Sequence, residues 1–248
     1  MTCFLLKKIF LDTKENMKRL LVMIVGALLI FGGSASATPA YGTKMPAKNE
    51  FFFGIQQYFI KHRNLEDNHG WLHSHQNYLA LSCGLQEWLA LDLKLSYYST
   101  YNFTPDPGDE IKFNRSVWGG GYGFRIKAYE SGPVKAVVGF HHYSIHPNML
   151  AINGIKLKGF MEEWQGSALV SYDLKHFTPY IGLRYSSTAY VVWSKAEKRA
   201  GIKSPEGQRL GLVTGFDIPL TKRVWVNLEA DGQWLDDLGL TVAMHCRF

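Results

Sequence analysis

Cysteine is scarce: the 248-residue chain carries three, none at C-x-x-C spacing, which excludes a disulfide-stapled scaffold, a zinc ribbon and a thioredoxin-type redox motif. Charge is sparse as well, at 19% of residues. Past residue 37 no apolar run approaches the roughly 18–20 residues that a helix needs to cross hydrocarbon, so a helical membrane protein is excluded. What is present is 46% hydrophobic and 14% aromatic residues, too apolar for a disordered chain and enough for one sizeable domain.

The first 37 residues read as a leader. Met17, Lys18 and Arg19 form a positive n-region, Leu20 to Phe31 an unbroken apolar core, and Ala35-Ser36-Ala37 a small-x-small cleavage site. Residues 1–16 then form an extended n-region, or Met17 is the true start, and residues 38–248 form the mature domain. The leader holds 5 of the 27 Lys+Arg and 2 of the 21 Asp+Glu, so the mature chain keeps 22 basic against 19 acidic residues, a net of +3. With no basic stripe left, a nucleic-acid partner is not expected.

The mature chain is dominated by a period of two. Leu89, Leu91, Leu93, Leu95 and Tyr97 alternate with Ala90, Asp92, Lys94, Ser96 and Tyr98, the pattern of a strand with one apolar face. The same alternation returns around Leu79–Leu85, Trp118–Lys127, Lys135–Phe140, Glu163–Tyr172, Ile181–Ser186, Leu210–Asp217 and Val224–Asp231. With Phe51–Lys61 at the front and Leu238–Phe248 at the end this predicts ten strands, eight being the nearest alternative. The connections alternate between tight turns at Gln86-Glu87, Glu130–Pro133, Leu174–His176 and Pro219–Lys222 and long loops at His62–Ser74, Ser99–Asn114, His146–Gly159 and Ala189–Gln208. Antiparallel strands joined in this way match an up-and-down transmembrane β-barrel, with short periplasmic turns and longer extracellular loops.

The faces separate a membrane barrel from a soluble one. One face is almost without charge, whereas the other carries Asp92, Lys94, Arg125, Lys127, Lys135, Glu163, Arg184, Glu229 and Asp231 among glycines. Unpaired charges of that number do not fill a dry protein core, so the charged face is expected to line a polar lumen, with Arg184 paired to Glu229 or Asp231. A barrel this narrow is largely filled by its own side chains. Trp88, Tyr172 and Phe177 near the turns, and Tyr97, Trp118, Tyr143 and Trp164 near the loops, are read as interfacial girdles. Cys83 and Cys246 fall on the lipid face with strand one between them, about 10 Å apart at roughly 4.8 Å per strand, and are expected to be free thiols.

The chain ends Leu240, Val242, Met244, Cys246, Phe248, apolar at every second place up to a terminal Phe. This resembles the C-terminal signature of Gram-negative outer-membrane β-barrels, with Cys246 where an aromatic often stands. Phe177–Ser186 resembles strands of the OmpA-like class. The resemblance implies an outer-membrane location, contact with lipid and lipopolysaccharide, recognition of Phe248 by the barrel assembly machinery, and a monomer without cofactor. It names a fold and a membrane, not a reaction.

Seven of the nine histidines gather near the predicted loop end: His62, His69, His73, His75, His141, His142 and His146. His73-x-His75 places two imidazoles on one strand face, a spacing that suits a divalent transition metal. His142-x-Ser144 resembles the His-x-Ser element of outer-membrane lipid A deacylases, implying a nucleophile and base with a carboxylate borrowed from Glu162 or Glu163, although Ile145 stands where that family has Asn. Asp67-x-His69 resembles the Asp-His pair of omptin proteases, with Asp236-Asp237 out of order for the second pair. Lys195, Lys198, Arg199 and Lys203 make the fourth loop basic and suited to lipopolysaccharide phosphates. The leading expectation is a structural, adhesive or ligand-contacting barrel; a lipid-modifying enzyme is second and a narrow channel third.

Overall fold

A computed structural model describes residues 41–65, 69–106, 108–113, 116–152, 155–194, 200–203, 209–232 and 238–248. The proposed signal peptide, Asp67, Lys195, Lys198, Arg199, Asp236 and Asp237 lie outside these residues, and of Lys203 only the backbone is described. The described residues form strands and turns without a helix: β1 (Phe51–Asn64), β2 (Trp71–Gln86), β3 (Leu89–Ser96), β4 (Thr100–Thr104), β5 (Ile111–Phe113), β6 (Ser116–Ser131), β7 (Val134–Pro147), β8 (Leu150–Ile152), β9 (Ile155–Tyr172), β10 (Thr178–Ser194), β11 (Ala200–Lys203), β12 (Leu210–Pro219), β13 (Val224–Gly232) and β14 (Leu238–Arg247).

Ten of these close a ring in the order β1-β2-β3-β6-β7-β9-β10-β12-β13-β14, every neighbour antiparallel. The seam runs from Phe52 opposite Arg247 to Ile60 opposite Gly239, and Phe248 N–H donates to the Phe51 carbonyl at 2.9 Å. Closure leaves the ring without an edge strand, so its backbone is satisfied within the sheet, as a lipid-exposed sheet requires. The remaining four strands lie within three of the expected long loops. β4 and β5 pair with each other and carry the β3–β6 hairpin upward, while β8 and β11 lengthen β9 and β10. The barrel therefore continues as sheet beyond its lipid belt.

The alternation sets the two faces. On β3, Leu91, Leu93 and Leu95 are 44%, 51% and 64% exposed, whereas Asp92 and Lys94 between them are 1% and 3% exposed. Leu79, Leu81, Phe124, Val138, Phe140, Val170, Ile181, Leu183, Leu212, Val242 and Met244 continue the outward apolar belt. This inverted polarity makes it a transmembrane barrel. Trp88, Tyr129, Tyr172, Phe177 and Phe248 are outward at the turn end, and Tyr97, Tyr98, Trp118 and Trp164 at the loop end. Tyr143, expected in the loop-end girdle, instead points into the bore and is buried.

Toward the loop end the faces keep their phase but exchange their chemistry. On β7 the outward residues change from Val138 and Phe140 to His142, Ser144 and His146, and the inward ones from Gly139 and His141 to Tyr143 and Ile145. Inside this upper zone Ile60, Leu65, Leu72, Tyr101, Phe103, Phe113, Ile145, Met161 and Tyr190 form one buried apolar cluster. Tyr101 and Phe103 on β4 meet Tyr190 on β10 across the bore, with ring centroids 5.2 and 4.9 Å apart. The bend that carries β4 inward lies at Tyr97–Ser99. There Tyr98 has φ +49°, and Asn77 holds the turn through N–H to Ser99 Oγ (3.0 Å) and Nδ2–H to the Tyr98 carbonyl (3.1 Å).

Candidate functional site

The bore carries the densest chemistry. Asp92 on β3 and Arg125 on β6 form a bidentate pair, Nε to Oδ2 at 2.8 Å and Nη2 to Oδ1 at 2.9 Å, which Ser82 Oγ (2.5 Å) and His141 Nε2 (3.2 Å) complete. Arg184 Nη1 meets Asp231 Oδ1, one of its two expected partners, at 2.9 Å over the intervening β12. Glu229 accepts the Tyr180 hydroxyl at 2.8 Å, while Asn227 Nδ2 donates to that hydroxyl and to Asp217 Oδ1, both at 2.9 Å. Arg63 on β1 reaches across to Glu163 on β9 at 2.9 Å and also contacts Thr188; Tyr143 donates to the same carboxylate at 2.8 Å. The Arg63–Glu163, Arg184–Asp231 and Tyr180–Glu229 ties join strands that are not neighbours, and their side chains lie inside the bore.

Small residues make the space. A Cβ on Gly121 would collide with Tyr143, and one on Gly123 with the ring of His141, so glycine lets two large inward side chains of β7 lie over β6. Lys127 departs from the expected lumen position: it sits half-buried at the turn-end rim, paired with Glu130 at 2.5 Å. Lys135 beside it reaches Asp173 at 2.7 Å and Glu130 at 3.6 Å. Burial pushes the Asp173 carboxyl up, but the Lys135 ammonium and the Thr178 hydroxyl outweigh it and hold the group below the usual carboxylate range.

The turn end holds a feature that strand periodicity does not signal. Residues 41–50 precede β1, turn at the rim and enter the bore, where Tyr41 and Thr43 are buried. The Tyr41 ring stacks on His141 at 4.5 Å, and Lys94 Nζ lies over the same ring, 4.0 Å from its centroid. Arg125 Nη1 donates to the Tyr41 and Lys44 carbonyls at 3.3 and 2.7 Å, and Lys44 Nζ stands 4.1 Å over Trp225.

On the outer surface near the loop end, Ser144 lies opposite Gly120 on β6 and Glu162 on β9. Its Oγ hydrogen-bonds His146 Nε2 at 3.2 Å rather than the expected His142. The His142 ring stacks on Trp164 at 3.9 Å and the His146 ring on Trp118 at 3.9 Å. Glu163 faces inward, so of the two candidate acids only Glu162 shares the Ser144 face. His141, counted with the loop-end histidines, belongs to the bore.

His73 and His75 share the outward face of β2 but are engaged separately. His73 Nε2 is 2.7 Å from Asn102 Nδ2 and 3.5 Å from Glu110, while the His75 ring stacks on Phe59 at 4.5 Å. Among the described residues no group of three or more His, Cys, Asp or Glu side chains surrounds a common metal position. Cys83 and Cys246 are free thiols, with β1 between them.

No protein-family model and no curated protein matches the sequence. Among solved structures the chain is similar to the translocator domain of the autotransporter NalP from Neisseria meningitidis (12% identity, TM-score 0.44, 96% of this chain and 97% of that one). It is also similar to the transport unit of the autotransporter AIDA-I from Escherichia coli (12%, 0.42, 84% and 92%) and to Ail, the attachment invasion locus protein of Yersinia pestis (10%, 0.40, 81% and 99%).

Proposed function

We propose that this chain is a bacterial outer-membrane barrel of the OmpA-like class that acts as a closed scaffold, with its tight turns in the periplasm and its loop end presented at the cell surface for adhesion or ligand contact. The observation that carries the reading is how many side chains fill the bore: Tyr41 from the turn-end segment, the Arg63–Glu163 and Arg184–Asp231 ties, and the Tyr101–Phe103–Tyr190 cluster at the loop end. The partners of this reading are outer-leaflet lipid and lipopolysaccharide, met by the outward aromatics and by the basic residues Lys195, Lys198, Arg199 and Lys203, and the assembly machinery, met by Phe248. It needs no cofactor and works as a monomer. Planar-bilayer recording tests it: the purified barrel is expected to pass no current above the lipid baseline, and a stable open conductance overturns the scaffold in favour of a narrow channel.

A second reading is favoured by the Ser144–His146 hydrogen bond on the outer face just above the apolar belt, with Glu162 opposite Ser144 on the neighbouring strand. It is an acyl-ester hydrolase in which Ser144 is the nucleophile and His146 the base. Expression in a Gram-negative host followed by lipid A mass spectrometry tests it. Loss of an acyl chain that Ser144→Ala abolishes supports the hydrolase, and an unchanged lipid A profile rejects it.

A further inference from the structure

Residues 41–44 are held in the bore without strand pairing. From Tyr41 to Lys44 the described backbone bonds to the barrel come from a single guanidinium, Arg125, through the Tyr41 and Lys44 carbonyls. Side chains supply the rest: Tyr41 against His141 and Lys94, and Lys44 over Trp225. Part of the socket is tied within the wall, whereas Arg125 Nη1 gives its bonds to the segment. Arg125 spends its Nε and Nη2 on Asp92, Asn227 ties Asp217 to Tyr180, and Tyr180 donates to Glu229, all within the wall. The segment is also conformationally loaded: Tyr41 and Gly42 both take left-handed backbone angles, φ +67° and +63°, and a Cβ on Gly42 would press on Asn227, Asp217 and Tyr180 at 3.2 Å. A segment that pairs with no strand and takes its backbone bonds from one guanidinium leaves at the cost of those two bonds, with Arg125 Nη1 and Lys94 Nζ then met by the water that replaces it.

We propose that residues 41–47 are a displaceable plug, seated in a preformed polar socket and controlling access to the bore from the turn end. Its departure uncovers Lys94, Arg125 and His141 as the lining of a blind pocket, because the apolar cluster around Tyr101 still closes the far end.

Gln165 provides the reporter position: it lies opposite His141 in the sheet, is buried, and its side-chain amide has no hydrogen-bond partner, so replacing it removes no bond. With Cys3, Cys83 and Cys246 changed to serine, the full chain bearing Gln165→Cys is reacted in bilayers with a small charged methanethiosulfonate. Alone it is expected to react slowly. Adding Tyr41→Ala, which removes the stacked ring, or Gly42→Val, which crowds the socket, is expected to raise the rate at least tenfold. A synthetic peptide of residues 38–48 added in trans is expected to slow it again. Equal rates with and without the plug substitutions overturn the proposal, as does a raised rate that the peptide leaves unchanged, since the segment is then a fixed part of the fold. Conductance separates this from the closed-scaffold reading: a plug variant that reacts faster without passing current supports both, and one that conducts supports the plug while opening the mouth.

Discussion

The lower and upper halves of the barrel obey opposite rules on one continuous sheet. In the lower half Leu91, Leu93, Val138, Phe140 and Ile181 point outward, and Asp92, Arg125, Arg184 and Asp231 point in. In the upper half Ser144, His146 and Glu162 are outside, while Ile145, Met161 and Tyr190 are inside. Only the medium differs between them. Where the wall faces lipid, apolar side chains gain nothing by turning inward and charges must pair in the bore; where it faces water, the hydrophobic effect packs an ordinary core inside the same cylinder. The upper zone is thus a small water-facing protein built on the rim of a membrane one, and it closes the mouth.

The largest expected difference concerns charge in the bore. Arg184→Ala strands the buried Asp231 carboxylate and is expected to cost about 3–5 kcal/mol in urea unfolding from bilayers; a loss below about 1 kcal/mol means that water reaches the pair. Next comes the outer face: Leu93→Arg in the belt is expected to cost about 2–4 kcal/mol. Ala151→Arg in the upper zone should stay within about 0.5 kcal/mol. Equal costs at the two positions erase the boundary between the zones.

A smaller test deletes a single methylene from each zone. Ile145→Val leaves a void in a packed protein core and is expected to cost about 1 kcal/mol, whereas at Ile181, 60% exposed to the bilayer, lipid refills the space and the same change is expected to be neutral. The smallest effect is at the turn-end rim, where Lys135→Ala is expected to cost under about 1 kcal/mol because both partners are partly exposed. A carboxyl held low in the folded state stabilises above its unfolded pKa, and that contribution is lost as pH falls through the folded value. Lys135→Ala should therefore raise the Asp173 titration seen by NMR and weaken the acid dependence of stability.

The sequence made the ring legible because strand register and sidedness share a period of two: the alternation of Leu89–Ser96 alone assigns every side chain of β3 to its face. The girdle reading misplaced Tyr143. Its phase says inward, but an aromatic near a loop reads as a girdle residue unless the exchange from Val138 and Phe140 to His142 and Ser144 on the opposite face is noticed. That exchange, visible along β7, is the signal that finds the upper zone. Pairing across the bore is different in kind, since Arg63 and Glu163 are 100 residues apart on strands that never touch. Nor does residue spacing distinguish His142 from His146 as the partner of Ser144, because both are two places away on one face; the hydrogen bond to His146 decides it. The plug at Tyr41–Lys44 lacks periodicity altogether, and the Gly42 beside it is a weak mark in a glycine-rich chain.

A spin-label scan of positions 136–146 along β7 in lipid bilayers tests the exchange most directly. The account predicts that 138 and 140 collide with oxygen dissolved in lipid, that 142, 144 and 146 keep the outward phase but collide with water-soluble nickel, and that 137, 139, 141, 143 and 145 are shielded from both. Oxygen accessibility persisting through 146, or nickel reaching the odd positions, would contradict it.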